Sequence, residues 1–288
     1  MPTISHNRSM WNDVYDWPAA GEEWSVTWGG SGEQWYRALL PRIIRFLPVS
    51  TILEIGPGYG RWTHYLQSRC DRMTLVDVTP NCIAACRERF ANLGHIDYHV
   101  NDGQSLEMVP DHSIDFVFSF DSLVHAEEDA VAAYLEQIAA KLTPNGVGVI
   151  HHSNLGQYRS LRLLAGCIPD SLVQRRTRSD RWLALPFTEG RAPSVSADSV
   201  LRVCARSGLS CIGQEQIAWR YPGFLLDCIT VFTLPGSPWD QPFRRVRNRS
   251  FPNEAREARR QRLVYGRIGV PDPVQFRAAA SSESHPLG

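Results

Sequence analysis

Leu53-Glu54-Ile55-Gly56-Pro57-Gly58-Tyr59-Gly60 sets three glycines at alternate positions behind a short apolar run. Glycines there let the backbone turn tightly and approach a ligand closely. A dinucleotide fingerprint needs G-x-G-x-x-G, and position 61 is arginine; a P-loop needs a following Gly-Lys-Ser/Thr, which is missing. Glu54 lies beside the loop, where a carboxylate repels a pyrophosphate. It suits a ligand whose nearby part is cationic and carries no phosphate. Asp77, 21 residues after Gly56, closes the next apolar run and could accept both hydroxyls of a ribose. Asn101-Asp102-Gly103 comes after the third run, where a side-chain acceptor could meet the amino group of an adenine.

S-adenosylmethionine (SAM), a nucleoside with an ammonium and a sulfonium, meets those requirements. On Glu54, Gly56, Gly58, Gly60, Asp77, Asp102 and the Asp115-Phe-Val-Phe run, residues 50–234 resemble the class I SAM-dependent methyltransferases. The resemblance implies that the glycine loop holds the methionine part, Asp77 the ribose and Asp102 the adenine edge. Gly103 and Phe120 complete the expected cofactor site.

The residues after the fourth run bear on the acceptor. Ser119-Phe-Asp-Ser-Leu-Val-His125 replaces the Asn-Pro-Pro-Tyr of enzymes that methylate adenine or glutamine nitrogens. It resembles the region of small-molecule O-methyltransferases that supplies a histidine base, here His125. An attacking hydroxyl must lose a proton, and an imidazole titrating near neutrality suits that task. Asp121, four residues earlier, is expected to orient the base or bind a cation. His151-His152-Ser153-Asn154 ends the fifth run, and adjacent strand residues face opposite ways, so one histidine of the two should reach the acceptor. His152 is the reserve base. Asp121 with His152 is a candidate magnesium site, although imidazole is a poor magnesium ligand; Asp227 is a more remote candidate. Trp28, Tyr59, His151, Asn154 and Trp182 are candidate acceptor contacts, since aromatic faces stack well on sugars. Arg175, Arg176, Arg178 and Arg181 could meet phosphate or hydroxyl groups. The His-His-Ser-Asn run and the layout resemble sugar and polysaccharide O-methyltransferases of actinobacterial type. That resemblance implies methyl transfer to a hydroxyl of a sugar, polysaccharide or glycosylated small molecule.

The elements that must position these groups alternate strand and helix through residues 51–152, which implies a parallel sheet covered on both faces. Two successive strands near 209–234 suggest a hairpin. The expected fold is a Rossmann-like α/β domain, with a seven-stranded, mostly parallel sheet and a reversed last strand. Three additions are expected. Residues 1–50 form an aromatic and helical cap, 153–195 a lid-like insertion in the domain at 51–234, and 235–288 a basic tail. Between 241 and 270 that tail has nine Arg against two Glu. An RNA-binding or RNA-modifying protein, or a non-catalytic SAM sensor, is therefore the alternative reading.

The whole chain argues against nucleic acid. Its 288 residues carry 30 Lys plus Arg and 30 Asp plus Glu, so no broad positive field exists to capture a polyanion. Lys141 is the only lysine, and the seven cysteines form no C-x-x-C pair. No apolar stretch approaches the ~18 residues of a membrane span, and a cytoplasmic home is expected. The sequence leaves a homo-oligomer open.

Overall fold

The computed structural model describes residues 3–161, 190–219 and 223–265. Trp182, the arginines at 175–181 and the terminal 266–288 lie outside the described residues, as does most of the expected lid.

Eight strands form one sheet: β1 Val49–Ile55, β2 Cys70–Asp77, β3 Ile96–Val100, β4 Ile114–Ser119, β5 Leu142–Ser153, β6 Ser210–Ile217, β7 Asp227–Thr233 and β8 Arg244–Asn248. Their order is β3-β2-β1-β4-β5-β7-β6-β8. β7 runs antiparallel to both neighbours, β5 and β6, and the other pairings are parallel. The reversed strand therefore comes after β6, as the hairpin pattern predicts. The expected seven strands become eight because Arg244–Asn248, read as a charge run in the tail, pairs with β6. An edge strand bonds on one side only and tolerates charged side chains.

Apolar β-branched and aromatic residues explain the central strands. Ile52, Leu53, Phe116, Val117 and Phe118 are all at most 1% exposed, as expected where helices cover both faces. α2 (Pro80–Arg89) packs into the core on one face, and α3 (Glu128–Lys141) and α4 (Ala197–Arg206) into the core on the other. Pro80 opens α2 at the position where a missing N–H costs nothing. Ser196 and Ser199 close a reciprocal capping box at α4.

The chain runs from β1 outward to β3, then returns to place β4 on the other side of β1. That reversal of order leaves a crevice beyond the carboxyl ends of β1 and β4, where ligands bind in open α/β sheets. Two peripheral segments border it. The N-terminal segment begins with α1 (Ile4–Ser9) and reaches Trp28 through irregular helical turns. The basic segment forms α5 (Phe251–Tyr265), which buries Phe251, Ala255 and Ala258 against the domain.

Candidate active site

The glycine loop is shaped by contacts that forbid side chains. Gly56 has φ +69°, and a Cβ there would fall 1.8 Å from Ser122 Oγ. Gly60 has φ +79°, and its Cβ would fall 2.5 Å from the Phe90 ring. The Gly56 amide donates to Val76 O at 2.8 Å, which ties the loop to β2. Gly58 N donates to Asp77 Oδ2 at 3.2 Å, and Thr79 N donates to Oδ1 at 2.8 Å. Burial pushes the Asp77 carboxyl up to about 6 despite these bonds.

Not every expected cofactor residue faces the crevice. Gly56, Gly58, Tyr59, Asp77, Gly103 and Phe120 line it. Glu54 lies beneath the loop, 2% exposed, and accepts a hydrogen bond from Thr63 Oγ1 at 2.6 Å. Burial pushes its carboxyl up to about 8. Gly60 is likewise turned inward. Asp102 is exposed but lies outside the crevice lining, and its Oδ1 accepts from Gln104 N and Ser105 N at 2.9 and 2.7 Å. Asn101 orders that corner instead. Its Oδ1 accepts from Gly103 N at 3.0 Å, and its amide donates to Tyr134 Oη at 2.8 Å.

The crevice has a volume of about 1140 Å³. Small-molecule pockets usually span ~300–1,000 Å³, so a nucleoside and a second molecule both fit. The N-terminal segment crosses it. Asn7 Nδ2 donates to His125 O at 2.7 Å, and Asn81 Nδ2 donates to Asn12 O at 2.9 Å. Trp17 stacks on Tyr59, with ring centroids 4.5 Å apart and planes 12° apart. Trp11, Trp17 and Trp28 all line the cavity. Of these, only Trp28 is expected from sequence. The available signal for Trp11 and Trp17 is their density in the first thirty residues, without any period to orient them.

His125 is half-buried on the cavity wall, with Nδ1 2.9 Å from the carbonyl of Gly190. A carbonyl can only accept, so in the neutral ring Nδ1 carries the hydrogen and Nε2 keeps its lone pair. Burial, with help from the Arg191 charge, holds His125 below the usual histidine range. Asp121 lines the cavity in a left-handed conformation, φ +63°. Arg61 Nη2 donates to it at 2.7 Å, and His151 Nδ1 lies 3.3 Å from its other oxygen. Burial alone would raise the Asp121 carboxyl, but His151 and Arg61 outweigh it and hold it below the usual value.

The two adjacent histidines separate as strand alternation requires, but the expected reserve base is the one turned away. His152 is fully buried, with Nδ1 2.8 Å from Ser153 O and Nε2 2.7 Å from Thr230 Oγ1. Burial pushes it down to about 4. With both nitrogens engaged, His152 does not join Asp121 as a metal ligand. Among the described residues no group of three or more His, Cys, Asp or Glu is arranged to hold a metal ion. His151 instead lies just behind the cavity wall, stacked on Phe120 at 4.3 Å. Its Nε2 is 3.6 Å from Asp227, which Arg191 grips at 2.5 and 2.8 Å. Burial would lower His151, but Asp121 and Asp227 raise it above the usual histidine value. Asn154, expected at the acceptor, is buried in a structural role. It donates to Leu225 O and accepts from Ala197 N, at 2.7 and 2.8 Å. Sequence reasoning misses Arg61 and Arg191, which neutralise the two aspartates; Arg61 directly succeeds the last loop glycine, which is the available signal.

Residues 52–146 match the methyltransferase domain family. With the strand order and the glycine loop, that match defines the core as a methyltransferase domain of the class I SAM-dependent type. Nodulation protein S of Sinorhizobium fredii is 30% identical over 122 residues, which cover 42% of this chain and 51% of that protein. The chain thus spans about half the length of this curated relative. Among solved structures, a SAM-dependent methyltransferase from Clostridium acetobutylicum aligns with a TM-score of 0.51 at 13% identity, covering 71% of this chain and 92% of that one. The N-methyltransferase NodS from Bradyrhizobium japonicum aligns with a TM-score of 0.50 at 18% identity, covering 70% and 96%. No helix among the described residues is long and apolar enough to cross a membrane.

Proposed function

We propose that the protein is a SAM-dependent methyltransferase in which His125 takes the proton from a hydroxyl of a sugar or glycosylated small molecule. The observation that carries this reading is the Nδ1 contact to Gly190 O, which leaves Nε2 as the acceptor. Held below the usual histidine range, the ring is neutral at pH 7 and ready to take a proton.

The crevice fits SAM by its own chemistry. Gly56, Gly58 and Gly103 line it, with Trp17 packed over Gly58 and Ile4 over Gly103, and Asp77 presents a carboxylate for the ribose hydroxyls. Bound SAM supplies an electrophilic methyl, whose bond to sulfur breaks as its bond to the acceptor forms. Asp121, fixed by Arg61 and His151, shapes the wall beside His125. Phe120, Trp28 and Trp219 provide aromatic faces for a sugar ring and exclude water from it.

A second reading is an amine acceptor, favoured because the NodS relative is an N-methyltransferase. The same base serves, since a protonated amine must also lose a proton before it attacks. Labelled SAM offered with glucose, glucosamine and their oligomers separates the two by product mass and methyl position. Absence of SAM binding to folded protein would remove both.

A further inference from the structure

The polar residues lining the cavity differ in sign from wall to wall. Asp77 stands at the exit of β2, and Glu127 and Asp129 at the start of α3. Along α5 the cavity meets Phe251, Pro252, Ala255, Arg256 and Arg259, which recur at helical spacing on one face. The other charges of α5 have partners. Glu254 pairs with Arg42 at 3.1 Å and Glu257 with Arg260 at 3.9 Å, while Arg262 donates to Gly29 O. Arg256 donates to the neutral Asn253. The stem of Arg259 lies against the Gly29 turn. Among the described residues, neither Arg256 nor Arg259 has a carboxylate within ion-pair distance. Both are exposed, three residues apart, at the rim of the cavity that holds His125. Behind them Trp28 and Trp219 flank Phe251, at 5.3 and 5.4 Å.

We propose that Arg256 and Arg259 recognise an oxyanion carried by the acceptor, so that the preferred substrate is an acidic sugar bearing a carboxylate or a phosphate. This rests on the methyl-transfer reading and narrows its substrate class. Two guanidinia on one helical face match the planar or tetrahedral oxygens of either group. Among the described residues neither arginine has an ion pair to abandon in doing so. Trp219, backed by the buried Phe251, then meets the ring, and the far end of the acceptor reaches toward His125.

Calorimetric titration of the full chain, saturated with S-adenosylhomocysteine, tests this. The probes are glucose, glucuronate and glucose 6-phosphate. At low salt at least one anionic probe should bind about tenfold or more tightly than glucose, and the preference should shrink as salt rises. The winning anion identifies carboxylate or phosphate as the group read. The double variant Arg256→Gln/Arg259→Gln should lose the preference, and Arg260→Gln, on the same helix, should keep it. Equal affinity for the three probes, no heat from either anion, or a preference surviving in a folded double variant would overturn the proposal. If the double variant fails to fold, Arg256→Gln and Arg259→Gln singly carry the same comparison, and a preference undiminished in both would overturn the proposal. Heat from S-adenosylhomocysteine itself reports separately on the cofactor reading. Its absence sinks that reading, whereas its presence without anion preference sinks only this one.

Discussion

At the proposed cofactor end of the cavity, strand exits supply the residues: the glycine loop leaves β1, Asp77 ends β2 and Asn101 comes just after β3. At the acceptor end, segments outside the parallel core do so: the N-terminal tryptophans and α5, with His125 between them on a short turn after β4. The first set is held by backbone ladders and main-chain hydrogen bonds such as Gly56 N to Val76 O. The second is held by ring contacts and single side-chain bonds such as Asn7 to His125 O. The cofactor end is therefore fixed wherever the sheet is fixed, whereas the acceptor end can differ among proteins that share the sheet. Alignments near 13–18% identity with the same fold are what such a division allows.

Changing His125 should separate the two ends most sharply. His125→Ala is expected to lower kcat by ~10²–10⁴-fold, the usual weight of a general base. SAM affinity should stay within about twofold, because in the proposed reaction the imidazole serves the acceptor and not the cofactor. Steady-state rates with labelled SAM, together with calorimetry, check both halves. Unchanged turnover would move the base elsewhere. In the unaltered enzyme kcat should fall as pH drops through the His125 pKa, below the ordinary histidine value, since protonation fills Nε2.

Asp77→Asn should do the reverse, weakening SAM by ~10–100-fold through lost charged hydrogen bonds while leaving the base intact. Its pH signature has a definite sign. The Asp77 carboxyl sits at about 6 in the free protein, and the ionised form is the better acceptor for ribose hydroxyls. SAM affinity should therefore rise through pH 6 and level off above it. The Asn variant should show no such rise, and calorimetry across pH 5–8 distinguishes the two.

The same residue predicts a smaller effect on folding. Asp77 is raised from 3.8 to about 6 in the folded state. The stability it contributes is thus fully present below its unfolded pKa and is lost as pH rises through the folded value. At pH 7 the ionised, buried carboxylate costs the free protein on the order of 1–3 kcal/mol. Asp77→Asn should accordingly melt a few degrees higher than the parent at pH 7 without ligand, and the gain should vanish near pH 4. A variant no more stable at pH 7 would show that the carboxylate carries no such penalty.

The same division governs what could be read from residues alone. Alternating apolar runs with turn residues between them give β1 to β7 and the helices α2 to α4, because sheet burial writes a period into the sequence. Glycine spacing and the acid closing β2 single out Gly56, Gly58 and Asp77, which line the cavity. Period alone could not say which of His151 and His152 faces the site, because both parities look alike until the sheet's covering is known. Nor could it distinguish Asp102, which closes its own turn, from Asn101, which orders the corner. β8 was hidden because an edge strand needs no apolar face. The aromatic density of the first thirty residues suggests a cap over the site, but the fold of 4–28 is not legible, since α1 buries none of its own residues and depends on partners distant in the chain.

Trp17 tests whether that N-terminal segment belongs to the acceptor end alone. It touches both sets: its ring stacks on Tyr59 of the glycine loop at 4.5 Å, and it packs against Trp11, which lies 5.2 Å from His125. Removing the ring in Trp17→Ala deletes the stack on Tyr59, worth ~0.5–1.5 kcal/mol, together with contacts to Tyr15 and Trp11 inside the segment, and opens the loop to water, while every strand contact stays in place. SAM affinity should fall only ~2–10-fold, less than for Asp77→Asn, and Trp17→Phe should restore most of it. A loss as large as that of the Asp77 variant would mean that the segment fixes the loop as firmly as the sheet does, and the distinction between a sheet-built end and a segment-built end would fail there.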